Sequence, residues 1–285
     1  MKIALIQVPH DFERVAVAVG RGPLRYLDAG ADRILREGRH DVHVTAVTAD
    51  AAGLGATEAV ALVDRALAAA VDGALADGAR PVVLAGNCHS CLGTLAGLAA
   101  DVGIVWLDAH GDFNTPETSP SGYFDGMALA VAAGLAHDDL RARIGARAVP
   151  GEHILLAGVR DLDPGERDNL KRAGVQVVAG DAWRDVGAAA LAAPLDRLAA
   201  RVRDVYVHVD VDVVDPEEAP GVSYPTPGGP TPAGVEAWLV EVGRRFRVRA
   251  AALTAYNPDR DEGDRTLRVG LGLLSALAGA ERAVE

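Results

Sequence analysis

Eight short apolar runs recur along the chain, and helix-like segments separate them. Most of these runs are continuously apolar and do not alternate between apolar and polar residues, which is typical of parallel strands covered on both faces. The runs predict strands at Ile3–Gln7, Val42–Val47, Pro81–Ala85, Gly103–Asp108, His153–Val159, Val175–Val178, Val205–Asp210 and Ala250–Ala255.

The segments between the strands carry Ala, Leu and Arg at helical spacing, as in Glu58–Asp77, Pro194–Arg203 and Pro232–Arg245. Strands that alternate with helices indicate right-handed crossover connections in a parallel sheet. We therefore predict an α/β fold, a three-layer α/β/α sandwich with a mostly parallel eight-stranded sheet. No repeat or linker interrupts the pattern, so we expect residues 1–285 to form a single domain.

The composition narrows the class of partner. The chain has 285 residues, 49% of them hydrophobic, and a formal net charge of −12. Because no Lys/Arg-rich run occurs, we expect a small-molecule substrate and neither nucleic acid nor an anionic membrane surface as partner. No apolar stretch reaches a membrane-spanning length, and charges follow the first strand where a signal peptide would be cleaved. We expect a cytoplasmic protein.

Acidic residues and a histidine stand at the ends of two of the predicted strands. The run VWLDAHGDFN contains Asp108, His110 and Asp112, and the run VHVDVDVVDP contains Asp210 and Asp212. Side chains two apart share a face of an extended strand, so each set points one way while its strand stays extended. Four carboxylates gathered there repel one another unless cations neutralise them. The pattern predicts a pair of metal ions.

His89 is a sixth candidate ligand, because the apolar run before it breaks at Gly86 and a helix-like segment follows. Parallel strands bring their carboxyl ends to one edge of a sheet, where ligands gather. An Asp or His is more often a surface residue or a helix cap, but unpaired charge after such apolar runs is costly. We interpret five other histidines as surface residues or helix caps: His10, His40, His43, His137 and His153.

The two cysteines, Cys88 and Cys91, form a C-x-x-C on either side of His89. Two cysteines make no disulfide scaffold, and a structural zinc site needs a second pair. We interpret them as packing residues, with a redox pair at a helix N-terminus as the alternative. The Pro/Gly-rich stretch Asp215–Pro232 follows a candidate metal strand, so we expect an ordered active-site loop.

Three ordered motifs resemble those of the arginase/agmatinase family, the ureohydrolases: GNCHS at 86–90, DAHGDFN at 108–114 and DVDVVDP at 210–216. GRGP at 20–23 is similar to the family's N-terminal turn, and the match covers nearly the whole chain. The resemblance implies two Mn²⁺ per chain, bridged by Asp108 and Asp210. One ion would take His89, Asp108, Asp112 and Asp210, and the other His110, Asp108, Asp210 and Asp212.

Oxygen ligands with one imidazole per ion suit Mn²⁺, although the identity of the metal rests on the resemblance. Such a pair activates water for attack on a planar amidine carbon, and Asp112 could pass a proton to the leaving nitrogen. Family members are often trimers or hexamers, so the resemblance also implies a homo-oligomer.

Two further segments resemble the arginase branch: GVRDLDPGE at 158–166 and TPETSPSG at 115–122. By that resemblance, Asp163 would receive the α-amino group of an amino-acid substrate, and Asn114 and Ser121 would hold its carboxylate. From the residues alone, Asp161, Asp163 and Glu166 could instead cap a helix that begins near Pro164.

The chain departs from the family pattern at several site positions. The acidic residue that binds the guanidinium is replaced by Ala255, followed by Tyr256, and the loop histidine that shuttles protons is replaced by Asp125, near Tyr123. We expect Asp125 to act in proton transfer, and Asp125, Tyr123 or Tyr256 to contact the substrate. Beside the metal ligands, His208 stands where the family has Ser, and Cys88 where it has Asp.

Loss of a carboxylate that pairs with a guanidinium lowers affinity by orders of magnitude. We therefore expect a less basic substrate than arginine, such as Nω-hydroxy-L-arginine, cleaved to (hydroxy)urea and an amine such as ornithine. Two alternatives stay open: hydrolysis of another amidine, such as a formimino or guanidino acid or an agmatine-like compound, and a non-catalytic partner subunit. A deacetylase on the related fold would need fewer acidic ligands.

Overall fold

The computed structural model describes residues 1–186 and 191–279 and contains ten strands in that part of the chain. Eight of them form one sheet in the order β4-β1-β5-β10-β9-β6-β7-β8. The strands are β1 Lys2–Val8, β2 His10–Asp11, β3 Arg14–Val15, β4 Asp41–Ala46, β5 Arg80–Ala85, β6 Gly103–Leu107, β7 Ile154–Val159, β8 Gln176–Ala179, β9 Asp204–Asp210 and β10 Arg247–Thr254.

Every pair of neighbouring strands in the large sheet is parallel. The two remaining strands, β2 and β3, form a small antiparallel hairpin directly after β1. Because all eight strands of the sheet run the same way, the loops that follow them open at one edge. The functional residues expected at strand ends therefore share one rim.

Eleven α-helices in the described residues connect the strands. They are α1 Gly22–Asp28, α2 Ala31–Glu37, α3 Ala56–Ala76, α4 Ser90–Leu98, α5 Ala128–Ala132, α6 Asp138–Ile144, α7 Pro164–Ala173, α8 Gly180–Val186, α9 Ala192–Ala199, α10 Pro232–Arg245 and α11 Arg265–Gly279. Short 3₁₀ turns lie at Ala18–Arg21, Asp125–Met127, Gly151–His153, Val211–Val213, Pro258–Arg260 and Glu262–Asp264. No helix in the described ranges combines the length and apolarity needed to cross a bilayer.

Two apolar cores lie on opposite faces of the sheet, and alternate residues of each strand enter one core or the other. On β6, Ile104 and Trp106 enter the core beneath α3 to α6, and Val105 and Leu107 enter the opposite core with α9 to α11. Strands buried on both faces explain the continuous apolar runs of the sequence. The predicted three-layer α/β/α sandwich with a parallel eight-stranded sheet is confirmed.

The predicted strands are all present, and their ends agree with the prediction or shift by at most three residues. The longest shift is at β10, which begins at Arg247 and not at Ala250. Its first residues include Arg247 and Arg249, and these charged residues interrupt the apolar run of the sequence. Helix α10 has the predicted bounds, since Pro at its start and the Thr231 side chain, which accepts a hydrogen bond from the Gly234 amide, mark its beginning.

The hairpin of β2 and β3 and the burial of two histidines were not predicted. His10 and His40 were expected at the surface or as caps, but they are 2% and 9% exposed. His10 lies just after β1 and His40 directly before β4, and tertiary contacts bury both side chains. The residue type alone does not reveal such contacts. The surface interpretation of His10 and His40 is therefore wrong.

Burial on both faces makes the central strands sensitive to lost volume. Leu155 on β7 is fully buried, whereas Leu62 on α3 is 39% exposed. Leu155→Ala should lower the free energy of unfolding by about 2–5 kcal/mol, because it leaves a cavity, and Leu62→Ala should change it by less than about 1 kcal/mol. Urea denaturation of both variants measures the difference, and equal effects would contradict the packing described.

Candidate metal centre

A cavity of about 830 Å³ opens at the carboxyl edge of the sheet. Its walls come from the β2–β3 hairpin and from the loops that follow β5, β6, β7, β9 and β10. Acidic side chains dominate the lining: Asp11, Asp112, Asp125, Asp161, Asp163, Glu166, Asp210 and Asp212. The position of the cavity agrees with the strand-end residues singled out in the sequence.

One group of possible ligands joins β6 to β9. The Nδ1 atom of His110 lies 3.3 Å from Asp108 Oδ1 and 3.1 Å from Asp212 Oδ2. The backbone amide of Ala109 donates to Asp212 at 3.1 Å, and the amide of Asp212 donates to Asp210 at 2.8 Å. These bonds aim the carboxylate oxygens and the imidazole nitrogen at one point, where they could hold a cation.

A second group consists of Cys88, Asp108 and Asp112, whose possible ligand atoms all lie within 4.8 Å of one another. The expectation that Asp108 and Asp112 share the face of an extended strand is wrong, because β6 ends at Leu107. Asp112 adopts a left-handed backbone conformation with φ of 49°. The turn, and not strand alternation, brings its side chain back towards Asp108.

Burial and mutual repulsion disfavour the ionised carboxylates. Burial and the neighbouring Asp212 raise the pKa of Asp108 to about 6. Burial and neighbouring acids also raise the pKa values of Asp112 and Asp210 well above the usual range. Burial acts to raise the pKa of Asp212 too, but His110 outweighs it and the net shift is downward. A cation at this point would offset the repulsion.

His89 fits a metal ligand, because one of its nitrogens is held and the other is not. It caps the start of α4 and is 1% exposed. Its Nδ1 lies 3.0 Å from Asp64 Oδ2, whereas its buried Nε2 has no hydrogen-bond partner among the described residues. A carboxylate on one nitrogen of a ligating histidine orients the ring and raises its basicity.

Asp64 was missed in the sequence. It lies on α3, is fully buried and faces the α4 side of the helix. Close approach of the two helices depends on Gly93, since a Cβ there would lie 2.6 Å from the Asp64 carbonyl oxygen. The available signal was one Asp between Val63 and Leu67 on the apolar stripe of the helix.

Asp125, the predicted proton-transfer residue, lines the cavity but is engaged by three donors. The side-chain amide of Asn87 donates to it at 3.0 Å, and the backbone amides of Cys88 and His89 donate at 3.0 and 2.9 Å. Its carboxylate therefore holds the turn that presents His89. This arrangement favours an orienting role over proton transfer.

The residues expected to bind an amino-acid head lie on the wall formed by the β6 and β7 loops. The Asn114 side-chain amide donates to Asp163 Oδ2 at 2.9 Å. Asp163 and Glu166 also form a reciprocal capping box at the start of α7, so the capping interpretation holds beside the binding one. Ser121, whose oxygen accepts a hydrogen bond from the Tyr123 amide at 3.1 Å, also lines the cavity, as does Tyr123.

Tyr256 does not line the cavity, contrary to the expected substrate contact. It is 1% exposed, its hydroxyl donates to Asp261 at 3.0 Å, and its ring lies 4.9 Å from that of Tyr26. Ala255, with φ of 65°, lines the cavity instead. Because Ala255 adopts a left-handed conformation, the Tyr256 side chain lies in the core formed with α9 to α11.

His208 and the cysteines lie beneath the acidic cluster. The imidazole of His208 stacks on Trp106 at 3.6 Å, and burial lowers its pKa to about 3, so the ring is neutral. Its Nε2 lies 3.3 Å from Cys88 Sγ, and that thiol donates to Asp210 at 3.1 Å. Cys88 and Cys91 are buried free thiols, and burial raises the pKa of both well above the usual range. This supports the packing interpretation.

The loop after β9 is ordered, as expected. Asp215 accepts hydrogen bonds from the amides of Gly228 and Gly229 at 2.7 and 3.0 Å. The guanidinium of Arg160 donates to the carbonyl oxygens of Asp212 at 2.8 Å and Thr226 at 2.9 Å. Arg160, which the sequence did not single out, therefore ties this loop to a candidate metal residue.

A parallel α/β/α sheet with buried carboxylates and histidines at its carboxyl edge defines a candidate metal-dependent enzyme. The Arginase family model matches residues 1–279, and the chain belongs to that family. A curated arginase of Bacillus caldovelox is 32% identical, with 97% of this chain and 98% of that protein aligned. One from Brevibacillus brevis is 36% identical, with 75% and 73% aligned.

Solved structures agree with this membership. An arginase from Bacillus caldovelox superposes with a TM-score of 0.90 at 32% identity and covers 98% of each chain. An arginase from Bacillus cereus gives a TM-score of 0.88 at 31% identity, covering 98% of this chain and 99% of that one. Proclavaminate amidino hydrolase from Streptomyces clavuligerus shares the fold, with a TM-score of 0.75 at 22% identity, covering 99% and 93%.

The contact between Asp64 and His89 predicts an effect on metal binding. Asp64→Asn should weaken the binding of Mn²⁺, used as the probe ion, by about 10- to 100-fold, because the His89 ring loses its charged partner. Asp72→Asn, an exposed change on the same helix, is the matched control. Calorimetric titration of metal-free protein gives both affinities, and an unchanged affinity in Asp64→Asn would show that Asp64 does not support a metal ligand.

Proposed function

We propose that this protein hydrolyses a C–N bond in the guanidino or amidino group of an arginine-like amino acid, releasing urea or hydroxyurea and an amine such as ornithine. The observation that carries this proposal is that one cavity combines two different surfaces, a floor and a wall. Its floor holds buried carboxylates and imidazoles suited to cations, and its β6–β7 wall holds Asn114 and Asp163, suited to an amino-acid head.

We assign the floor to two Mn²⁺ ions per chain, with His89, Asp108, Asp112 and Asp210 on one ion and His110, Asp108, Asp210 and Asp212 on the other. The unpartnered Nε2 of His89 and the convergence of His110 with two carboxylates support this assignment. When bound, such ions act as Lewis acids and make water a nucleophile near neutral pH.

The chain's own side chains would orient the substrate and move the proton. Asn114, Ser121 and Asp163 would hold the carboxylate and α-amino groups, so that the amidine carbon lies over the floor of the cavity. Asp112, one of the floor residues, lines the cavity and would pass a proton to the leaving nitrogen. Asp125 would keep His89 in place, because three donors already engage its carboxylate.

Ala255 supports a guanidine less basic than that of arginine, with Nω-hydroxy-L-arginine as the best candidate. This residue lines the cavity and supplies no charge at the position where the family pattern has an acidic residue. A cationic guanidinium without that partner loses a charge-assisted contact, whereas a largely neutral hydroxyguanidine loses less. Another amidine, such as a formimino acid, is the second candidate.

Membership in the Arginase family and two groups of possible metal ligands support an enzyme over the alternative of a non-catalytic partner subunit. We further propose that the chain is a single domain which assembles into a homo-oligomer, a trimer or hexamer, in the cytoplasm. The homo-oligomer extends the family resemblance, whereas the single domain and the cytoplasmic location extend the sequence pattern.

Metal analysis tests the assignment of the floor. After loading with Mn²⁺ and desalting, the protein should retain about two equivalents per chain, since six donors exceed what one ion needs. Asp210→Asn should retain about one or none, because Asp210 is proposed to bridge the ions. Asp139→Asn, at an exposed site on α6, should behave as wild type. A folded wild-type protein that retains no metal would contradict the proposed function.

Substitution at Ala255 tests the substrate. Ala255→Glu should raise kcat/KM for L-arginine relative to Nω-hydroxy-L-arginine by about tenfold or more, because it restores a charged partner for the guanidinium. Ala255→Gln has nearly the same size without the charge and should not change the ratio. Rates of urea and hydroxyurea release give the comparison, and a wild-type preference for L-arginine would contradict the choice of substrate.

A further inference from the structure

Asp11 is a buried carboxylate in the cavity wall that the proposed chemistry does not use. It lies on the β2–β3 hairpin and is 5% exposed. Its partner across the hairpin is Arg14, whose guanidinium forms an ion pair with it. The Arg14 side chain is 58% exposed and the Asp11 side chain is 7% exposed, and a carboxylate has lone pairs for further donors beside Arg14.

The hairpin is anchored to the turn that presents His89. The amide of Phe12 donates to the side-chain oxygen of Asn87 at 3.2 Å, and the Phe12 ring lies 5.3 Å from the His89 ring. Phe12 has φ of 53°, a conformation that bulky residues rarely adopt. These contacts maintain the unusual turn, and they fix Asp11 beside the floor of the cavity.

His10, the neighbour of Asp11, and Ala255 both contact Gly86. A Cβ on Gly86 would lie 2.2 Å from the carbonyl oxygen of His10, so the chain just before Asp11 presses against Gly86. On its other side, the Gly86 carbonyl oxygen accepts a hydrogen bond from the Ala255 amide at 3.2 Å. Asp11 and Ala255 both line the cavity, so the Asp11 carboxylate borders the same space as the uncharged Ala255 side chain.

We propose that Asp11 is a specificity-determining residue whose carboxylate accepts hydrogen bonds from the terminal amidine nitrogen of the substrate, or from a hydroxyl group on that nitrogen. This inference rests on the proposed function and adds the group that binds the far end of the substrate. A carboxylate accepts N–H or O–H donors from either kind of guanidine and rejects a substrate end that has no donor.

Binding measurements on the manganese-loaded protein test this role. Asp11→Asn should raise the Kd for L-arginine and Nω-hydroxy-L-arginine on the order of 10- to 100-fold, because a charged acceptor is lost. The Kd for L-norvaline, which has the amino-acid head but no amidine, should change by less than about twofold. Asp32→Asn removes an acid that is also paired with an arginine, Arg36 on α2, and should change none of the three.

A second variant separates ligand contact from a structural role. Asp11→Asn combined with Ala255→Glu should recover binding of L-arginine, since a carboxylate at position 255 would face the same ligand end, whereas a distorted hairpin would not be repaired there. If Asp11→Asn does not fold, as judged by its melting temperature, Asp11→Ser replaces it in both arms.

The outcomes distinguish the two proposals. Equal weakening of all three ligands, or unchanged affinity for both guanidines, would overturn the role of Asp11 and leave the proposed function standing. A wild-type protein that binds none of the three amino acids would overturn the proposed function, and the role of Asp11 with it. Selective weakening of the two guanidines with recovery in the double variant supports the inference.

Discussion

Repulsion among buried carboxylates at the carboxyl edge of the sheet is the constraint on which this site depends. Asp108, Asp112, Asp210 and Asp212 are each less than a tenth exposed, and burial with neighbouring charge raises the pKa of the first three. Such a group is stable when protonated or when cations lie among the oxygens. The loops around it are arranged so that the oxygens converge, and a cation among them would offset the repulsion.

Other acids of this strongly negative chain act as supports for the floor of the cavity. Asp64 holds the His89 ring from behind, and Asp125 gathers the amides of the turn in front of it. On the β9 side, the guanidinium of Arg160 donates hydrogen bonds to the carbonyl oxygens of Asp212 and Val213. The donor geometry therefore depends on a surrounding layer of charged residues, as metal sites usually require.

The departures from the family pattern lie together in space. His208 is neutral, stacks on Trp106 and contacts the Cys88 thiol, so two unusual residues fill the volume beneath Asp210. Ala255 lines the same cavity as Asp210 and Asp11. Cys88 contacts His208, and Gly86 in the same turn accepts a hydrogen bond from Ala255, so a change at one of these positions alters the fit of the others.

The positions of the strands along the chain, the class of fold and the residues at the strand ends could all be predicted from the sequence alone. Apolar runs and helical spacing are local properties, and parallel strands bring Asp108, Asp210 and His89 to one edge whatever the details of the loops. The positions of Asp64, Asp11 and Tyr256 follow from tertiary contacts. Asp64 meets His89 because α3 packs on α4, and Asp11 lines the same cavity as Ala255 through contacts between residues far apart in the chain. Tyr256 turns away because Ala255 adopts a left-handed conformation, and local patterns of polarity carry no information about such contacts or turns.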